Sequence, residues 1–307
     1  MMLYSVIDIG SNTIRLNIYQ YEKEKLTSLL HKKSMAGLAG YVENGALSQK
    51  GIEAAVETLG EFRMIADHFD IGQVYAFATA SLRNIVNSDE VVRVIKEKTG
   101  FSVEIIGGEE EATLDFIGAT HGKRIEHGLM IDIGGGSTEL AFIEKGEIVQ
   151  AFSLPIGSLS MFSDYVEKLF PEKHEKKAIR ERVERELDKL SGSIPPGTIP
   201  IVCGVGGTIR AAKKLDNELN GSSDFRSMAV QDIAGMLKGL KKGKKETLRL
   251  ILQAVPDRVH TIIPGMVILQ TIAKRFQCET IFVSKFGVRE GYLYKRVLKE
   301  GRGNGEK

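Results

Sequence analysis

Two ten-residue stretches, one near the start of the chain and one near its middle, follow a single plan. Ile7-Asp8-Ile9-Gly10-Ser11-Asn12-Thr13-Ile14-Arg15-Leu16 aligns without gaps on Ile131-Asp132-Ile133-Gly134-Gly135-Gly136-Ser137-Thr138-Glu139-Leu140, with Ile, Asp, Ile, Gly and Leu shared in register. Each copy reads as an apolar strand ending on an aspartate, a turn of small residues and a second strand. Repetition of a whole structural unit implies a chain built twice from one plan. The 307 residues suit that, at about 150 residues per domain. The expected domains are 1–125 and 126–307, with the boundary near 125–128 and the last helix able to pack back on the first domain.

Strand and helix patterns alternate around these repeats, which predicts an α/β fold. Tyr4 to Asp8 and Ile14 to Tyr21 read as strands. Apolar residues at Ile52, Val56, Leu59, Phe62, Met64, Ile65 and Phe69 recur with a helical period, so 48–69 is predicted helical with Ser48 as N-cap. Val74 to Thr79 is a predicted strand, Asp89 to Lys98 a helix stopped by Gly100, Val103 to Ile106 a strand and Glu109 to Thr120 a helix. The second cycle predicts strands at 129–132, 138–143 and 199–204, and helices at 159–168, 171–190 and 208–219. Residues 191–197 read as a loop. A largely helical remainder carries one late strand at 280–284 and a last helix from Val288 to about Lys299.

Composition narrows the function classes. Hydrophobic residues make up 42% of the chain and charged residues 27%, enough apolar material for a sizeable core. A net charge of +2 is too small to argue for nucleic acid. No apolar run approaches the ~18 residues of a membrane span. Met1-Met2-Leu3-Tyr4-Ser5 lacks the basic and apolar regions of a secretory signal. Two cysteines, Cys203 and Cys278, make neither a disulfide framework nor a zinc site, and a reducing cytoplasm is the expected location. The six histidines show no metal-ligand spacing. Glycine stands out at 33 residues, about one in nine against a usual ~7%.

The glycines in the two turns suggest chemistry. Small residues let the backbone approach a ligand closely, and successive amide N–H groups form an anion-binding nest. Ser11, Thr13, Ser137 and Thr138 add hydroxyl donors. The strand-end aspartates and Glu139 suit Mg²⁺, a hard ion that takes carboxylates, waters and phosphate oxygens. A glycine-rich hairpin alone is often only a hairpin; two copies, each with an aspartate at the strand end, point to phosphate and metal.

These turns resemble the paired phosphate-binding hairpins of the actin, hexokinase and heat-shock chaperone superfamily. More narrowly, the chain resembles the exopolyphosphatase/guanosine pentaphosphate phosphatase family. The resemblance rests on Asp8 to Thr13 with Arg15, Ala78 to Arg83 with Asn84 and Asn87, Ile106 to Ala112, and Asp132 to Leu140. It continues with Gly204 to Thr208, Arg258 to Leu269, and Ser284 with Gly287-Val288-Arg289-Glu290-Gly291. It implies two actin-like (ribonuclease H-like) domains with an interdomain cleft, and metal-dependent hydrolysis of the terminal phosphoanhydride of inorganic polyphosphate. In that family the glutamate directly before the alanine of the Glu-Glu-Ala motif activates water, which by position is Glu111. The Mg²⁺ ligands correspond to Asp8, Asp132 and Glu139, with Mn²⁺ an alternative ion. The phosphate contacts correspond to Ser11, Asn12, Thr13, Arg83, Gly134, Gly135, Gly136 and Ser137. Glu109 is expected only to complement the helix dipole.

The chain departs from the family pattern in two places. Residues 33–40 lack the arginine often found in the corresponding loop. The chain also has no His-Asp dipeptide, where longer members carry a further phosphohydrolase-like domain, so it resembles the short two-domain class. The expected partners are inorganic polyphosphate or guanosine pentaphosphate, with no nucleic acid and no membrane, and a homodimer is compatible with the helical last third. Lys238, Lys241, Lys242, Lys244 and Lys245 read first as a solvated face and second as a polyphosphate track. The competing readings are a kinase of the same superfamily, which the position of Glu111 disfavours, and a guanosine-polyphosphate-binding sensor.

Overall fold

The structure is a computed structural model that describes residues 2–121, 125–190, 199, 201–221, 224–240 and 244–298. The chain divides into two compact units, Met1–Glu111 and Ala112–Lys307.

The first unit contains β1 (Met2–Ile9), β2 (Ile14–Glu22), β3 (Lys25–Ser34), the short β4 (Val42–Glu43) and β5 (Ala46–Leu47), and α1 (Gln49–His68). β6 (Val74–Ala78), α2 (Ala80–Arg83), α3 (Ser88–Thr99) and β7 (Val103–Ile105) follow, and then the start of α4 (Gly108–Thr120). Its main sheet has the order β3-β2-β1-β6-β7. The β1–β2 and β2–β3 pairs are antiparallel, and β6 and β7 add in parallel. Inner strands of such a sheet are covered on both faces and become near-continuous apolar runs. Tyr4 to Ile9 is accordingly buried throughout, and Ile7, Ile9, Ile14 and Leu16 share a core with Ile52, Leu59 and Phe62 of α1. Ser48 occupies the N-cap of α1 through its carbonyl, which accepts from the Ile52 amide, and makes no side-chain cap. Gly100 ends α3 at φ 75°, the left-handed conformation glycine adopts without steric cost.

The second unit repeats the plan. β8 (His127–Ile133), β9 (Thr138–Glu144) and β10 (Glu147–Leu154) precede α5 (Ser158–Tyr165) and α6 (Lys173–Asp188). β11 (Ile201–Val205), α7 (Gly206–Asn220), β12 (Ser227–Ala229), α8 (Val230–Gly239), α9 (Lys244–Ala254), α10 (Ile262–Arg275), β13 (Thr280–Val283) and α11 (Val288–Tyr292) follow. The sheet order is β10-β9-β8-β11-β13-β12. Its first five strands match the first sheet position by position: three antiparallel, then two added in parallel. β12 is an additional antiparallel edge strand. Within this unit α10 is buried from Ile262 to Ala273. An all-round apolar helix has no solvated face and takes the centre of a core, here among Leu129, Ile131, Val202, Ile209 and Ile281.

The chain passes from one unit to the other inside α4, while the repeat points to 125–128. Ala112, Phe116 and Ala119 pack against Met130, Ala141, Cys203 and Val205, so the later turns of α4 are apolar cover for the second sheet. Five strands carry no prediction: β3, the short β4 and β5, β10 and β12. Residues 191–197, predicted as a loop, lie outside the described residues, as do Lys241, Lys242 and the end of the last predicted helix at Lys299. No helix among the described residues is long and apolar enough to cross a membrane.

Candidate active site

In the first unit Asp8, the penultimate residue of β1, stands directly across the ladder from Arg15 on β2. The Arg15 guanidinium lies 3.4 Å from the Asp8 carboxylate, and Asp8 is buried. The turn between the strands closes when the Gly10 amide donates to the Thr13 carbonyl at 3.1 Å. The carbonyls of Ser11 and Asn12 accept from the amides of Ala39 and Gly37. Ser11 and Thr13 are buried and Asn12 is half-buried. The turn is thus held from behind through its carbonyls.

Beyond β6 the chain makes the single turn α2, which ends on Arg83. The Ser81 hydroxyl donates to the Ile9 carbonyl and ties α2 to the end of β1. Arg83 Nη1 donates to the Ile106 carbonyl at 2.9 Å and to Glu111 Oε2 at 2.8 Å. The three glutamates that open α4 differ sharply in environment: Glu109 is exposed, Glu110 half-buried and Glu111 buried. Successive residues on a helix point about 100° apart, and the helix here turns Glu111 inward onto Arg83. An arginine–carboxylate pair this short is a charge-assisted hydrogen bond that fixes both side chains.

In the second unit Asp132 stands opposite Glu139 across the β8–β9 ladder. Asp132 is half-buried and Glu139 only 1% exposed. At this ladder position the two hairpins differ in charge: the first places an arginine opposite its aspartate, the second a carboxylate. Like charges directly opposite on one face of a sheet destabilise it, a cost that a bound divalent cation would offset. The Ser153 hydroxyl donates to Glu139 Oε1 at 2.8 Å and orients it. Gly206 opens α7 at φ 79°, where a Cβ would come within 1.8 Å of Asp132 Oδ1. Only glycine leaves room for the Asp132 carboxylate there. Among the described residues no group of three or more His, Cys, Asp and Glu is arranged to hold a metal. A pair of carboxylates completed by waters and phosphate oxygens is nonetheless the ordinary Mg²⁺ arrangement, and Asp132 with Glu139 fits it.

The glycine turn of this hairpin closes through the Gly134 amide to the Ser137 carbonyl at 2.9 Å, so that amide is committed to the fold. The Gly134 carbonyl accepts from both the amide and the hydroxyl of Ser158, and the Gly135 carbonyl from the amides of Leu159 and Ser160. The start of α5 thereby grips the turn by its oxygens, as 37–39 grip the first turn. The Thr138 hydroxyl donates to the Ile156 carbonyl and is structural.

The predicted site residues fall into two sets. The first unit brings together Asp8, the Ser11–Thr13 turn, Arg83 and Glu111, and the second brings together Asp132, Gly134 to Ser137 and Glu139. Sequence reasoning passed over Ser153 and gave Thr208 and Arg258, both within quoted motifs, no role in the site. Thr208 donates to the Ile133 carbonyl at 2.7 Å, and Arg258 Nη1 approaches the Thr208 hydroxyl at 3.3 Å. Glycine turns flagged the Thr208 region, but no local pattern pairs residue 258 with it. Of the lysine cluster, Lys238 and Lys245 are exposed. Cys203 and Cys278 are buried, and burial pushes the Cys278 thiol up to about 12.

The sequence model of the Ppx/GppA phosphatase family matches residues 17–300. The chain is 24% identical over 310 aligned residues to exopolyphosphatase 1 of Mycobacterium leprae, covering 98% of this chain and 91% of that one. Among solved structures it resembles the Ppx/GppA family member of Aquifex aeolicus, at 28% identity and a TM-score of 0.78, covering 98% and 99% of the two chains. An exopolyphosphatase from Cytophaga hutchinsonii shares the fold, at 24% identity and a TM-score of 0.85, over 96% and 97% of the two chains.

Proposed function

The chain belongs to the Ppx/GppA phosphatase family, and we propose that it is an exopolyphosphatase releasing orthophosphate from the end of inorganic polyphosphate. The observation that carries the reading is the buried Glu111, held at 2.8 Å by Arg83 in the first turn of α4. A phosphoanhydride hydrolase needs a carboxylate to accept a proton from water and a cation to bind a phosphate oxygen, and these two side chains are adjacent. The mycobacterial relatives named exopolyphosphatase, matched over nearly the whole chain, support polyphosphate as substrate.

In this reading Glu111 orients the attacking water and takes its proton on a carboxylate oxygen. The water oxygen bonds to the terminal phosphorus as the bridging P–O bond breaks, and the shortened chain leaves with the bridging oxygen. Arg83 meets the negative charge of the transferring group. The amides of Gly135 and Gly136, with Ser137, bind the terminal phosphoryl oxygens. Gly134 shapes that turn, because its own amide closes it. In the first unit Ser11, Asn12 and Thr13 are the phosphate-binding groups. Fixed donors of this kind stabilise charge without reorganising at the moment of reaction. Asp132 and Glu139 would hold Mg²⁺, or Mn²⁺ in its place, and Asp8 is the candidate ligand that the first unit offers. When bound, the ion neutralises charge on the phosphate oxygens. A cytoplasmic location is the reading favoured by a chain with two cysteines and no disulfide framework.

The test is orthophosphate release by the wild type with Mg²⁺, comparing polyphosphate with guanosine pentaphosphate at equal concentrations of terminal phosphate. A higher kcat/KM on polyphosphate supports the reading. Release from guanosine pentaphosphate alone reassigns the substrate and keeps the chemistry. Release from neither contradicts it and leaves the sensor reading.

A further inference from the structure

The segment Gly287-Val288-Arg289-Glu290-Gly291, singled out in the sequence, has no part in the chemistry proposed above. In the structure it lies against α4. A Cβ on Gly118 would come within 2.0 Å of the Gly287 carbonyl oxygen, and a Cβ on Gly291 within 1.8 Å of the Leu114 carbonyl oxygen. Both elements carry glycine where they cross, so their backbones touch. The contact is held from two other directions. The buried Glu290 carboxylate accepts the Gly287 amide at 2.8 Å and fixes the start of α11. His121, at the end of α4, stacks on Tyr294 with ring centroids 3.6 Å apart and planes 13° from parallel.

α4 is continuous from Gly108 to Thr120 and carries Glu111 in its first turn. Gly118 lies about two turns further along, at 3.6 residues per turn. An α-helix is stiff over that distance, so the depth at which Gly118 is seated fixes the position of the Glu111 backbone. We propose that Gly118, Gly287 and Gly291 are positioning residues for Glu111, acting through the seat of α4. This rests on the assignment of Glu111 as the base. It explains why glycines recur where the segment meets the helix. A methyl group at 2.0 Å from a carbonyl oxygen forces the two backbones apart by about 1 Å, and a displacement of that size at a reacting group can cost about 10²-fold in rate.

The experiment is a double-mutant cycle on orthophosphate release from polyphosphate, with rates expressed per folded enzyme. Gly118→Ala and Gly287→Ala are each measured alone and combined with Glu111→Gln. The expected result is a kcat loss of about tenfold or more from each glycine variant with KM within about twofold, shrinking to less than about twofold in the Glu111→Gln background. If Gly118→Ala does not fold, Gly287→Ala carries the comparison, because its methyl meets side-chain atoms of Val205 and Asp115 rather than backbone. Equal losses in both backgrounds, or no loss of kcat, overturn the inference and leave the base assignment intact. An inactive wild type, or a Glu111→Gln variant as fast as wild type, overturns the base assignment and this inference with it.

Discussion

Arg83 donates to Glu111 at 2.8 Å, with both side chains largely withdrawn from solvent. The pair links two segments 28 residues apart in sequence, one ending a single helical turn and the other opening a long helix. It places a cation and a candidate base side by side. A buried carboxylate that loses its partner retains its desolvation cost. Arg83→Ala is therefore expected to lower stability by about 1–3 kcal/mol and kcat/KM on polyphosphate by at least about tenfold. Arg83→Lys should recover stability better than activity, because an ammonium keeps the charge and loses the planar fork. Thermal unfolding and steady-state kinetics on the same preparations check this. Equal recovery of both would mean that Arg83 serves the fold alone.

Gly206 makes a second test. Its φ of 79° already disfavours any side chain, and a Cβ would overlap the Asp132 carboxylate. Gly206→Ala should destabilise the protein by about 1–3 kcal/mol and displace Asp132, raising the Mg²⁺ concentration needed for half-maximal phosphate release. A variant with unchanged metal dependence would separate Gly206 from the proposed ion site.

The carboxylates facing each other on β8 and β9 give the metal prediction. Chelation by EDTA should abolish phosphate release and added Mg²⁺ should restore it. Asp132→Asn and Glu139→Gln should each shift the Mg²⁺ titration upward by about tenfold. Because these two like charges stand opposite each other across the ladder, the same substitutions should raise the melting temperature in metal-free buffer. That readout does not depend on activity. A lower melting temperature for both variants would contradict the picture of a repulsive pair awaiting a cation.

The hairpins, their aspartates and the Glu111 helix were legible because short periodic signals surround them: an apolar strand, small residues, a strand again. The repetition of the strand–turn–strand unit was legible for the same reason, whereas the order of strands in each sheet was not. β3 was not, since an edge strand carrying Lys25, Lys32 and Lys33 buries only one residue fully and shows no alternation. β10 was hidden by its half-buried pattern, although the turn before it, Lys145-Gly146, has both residues at positive φ and carries a hairpin signal. Which of the three opening glutamates faces inward could be taken only from a family resemblance. Helix geometry alone separates the three and does not choose among them. Ser153 and Arg258 are long-range partners, joined to Glu139 and Thr208 by the fold and by no spacing a sequence shows.

Cys278 supplies the pH prediction. Burial raises its thiol to about 12, above the 9.0 of an exposed thiol. An acid whose folded value is raised contributes stability that is fully present below the unfolded value and is lost as pH rises through the folded one. The melting temperature should therefore fall between about pH 9 and 12, and Cys278→Ala should flatten part of that fall. The native thiol should resist alkylation at pH 8 and react once the protein is unfolded.

The most direct test of the central claim compares wild type with Glu111→Gln on polyphosphate at saturating Mg²⁺, following orthophosphate release together with substrate binding. The prediction is a kcat lower by about 10²-fold or more, with polyphosphate binding within about threefold of wild type. A Glu111→Gln enzyme that turns over at the wild-type rate would contradict it and remove Glu111 from the chemistry.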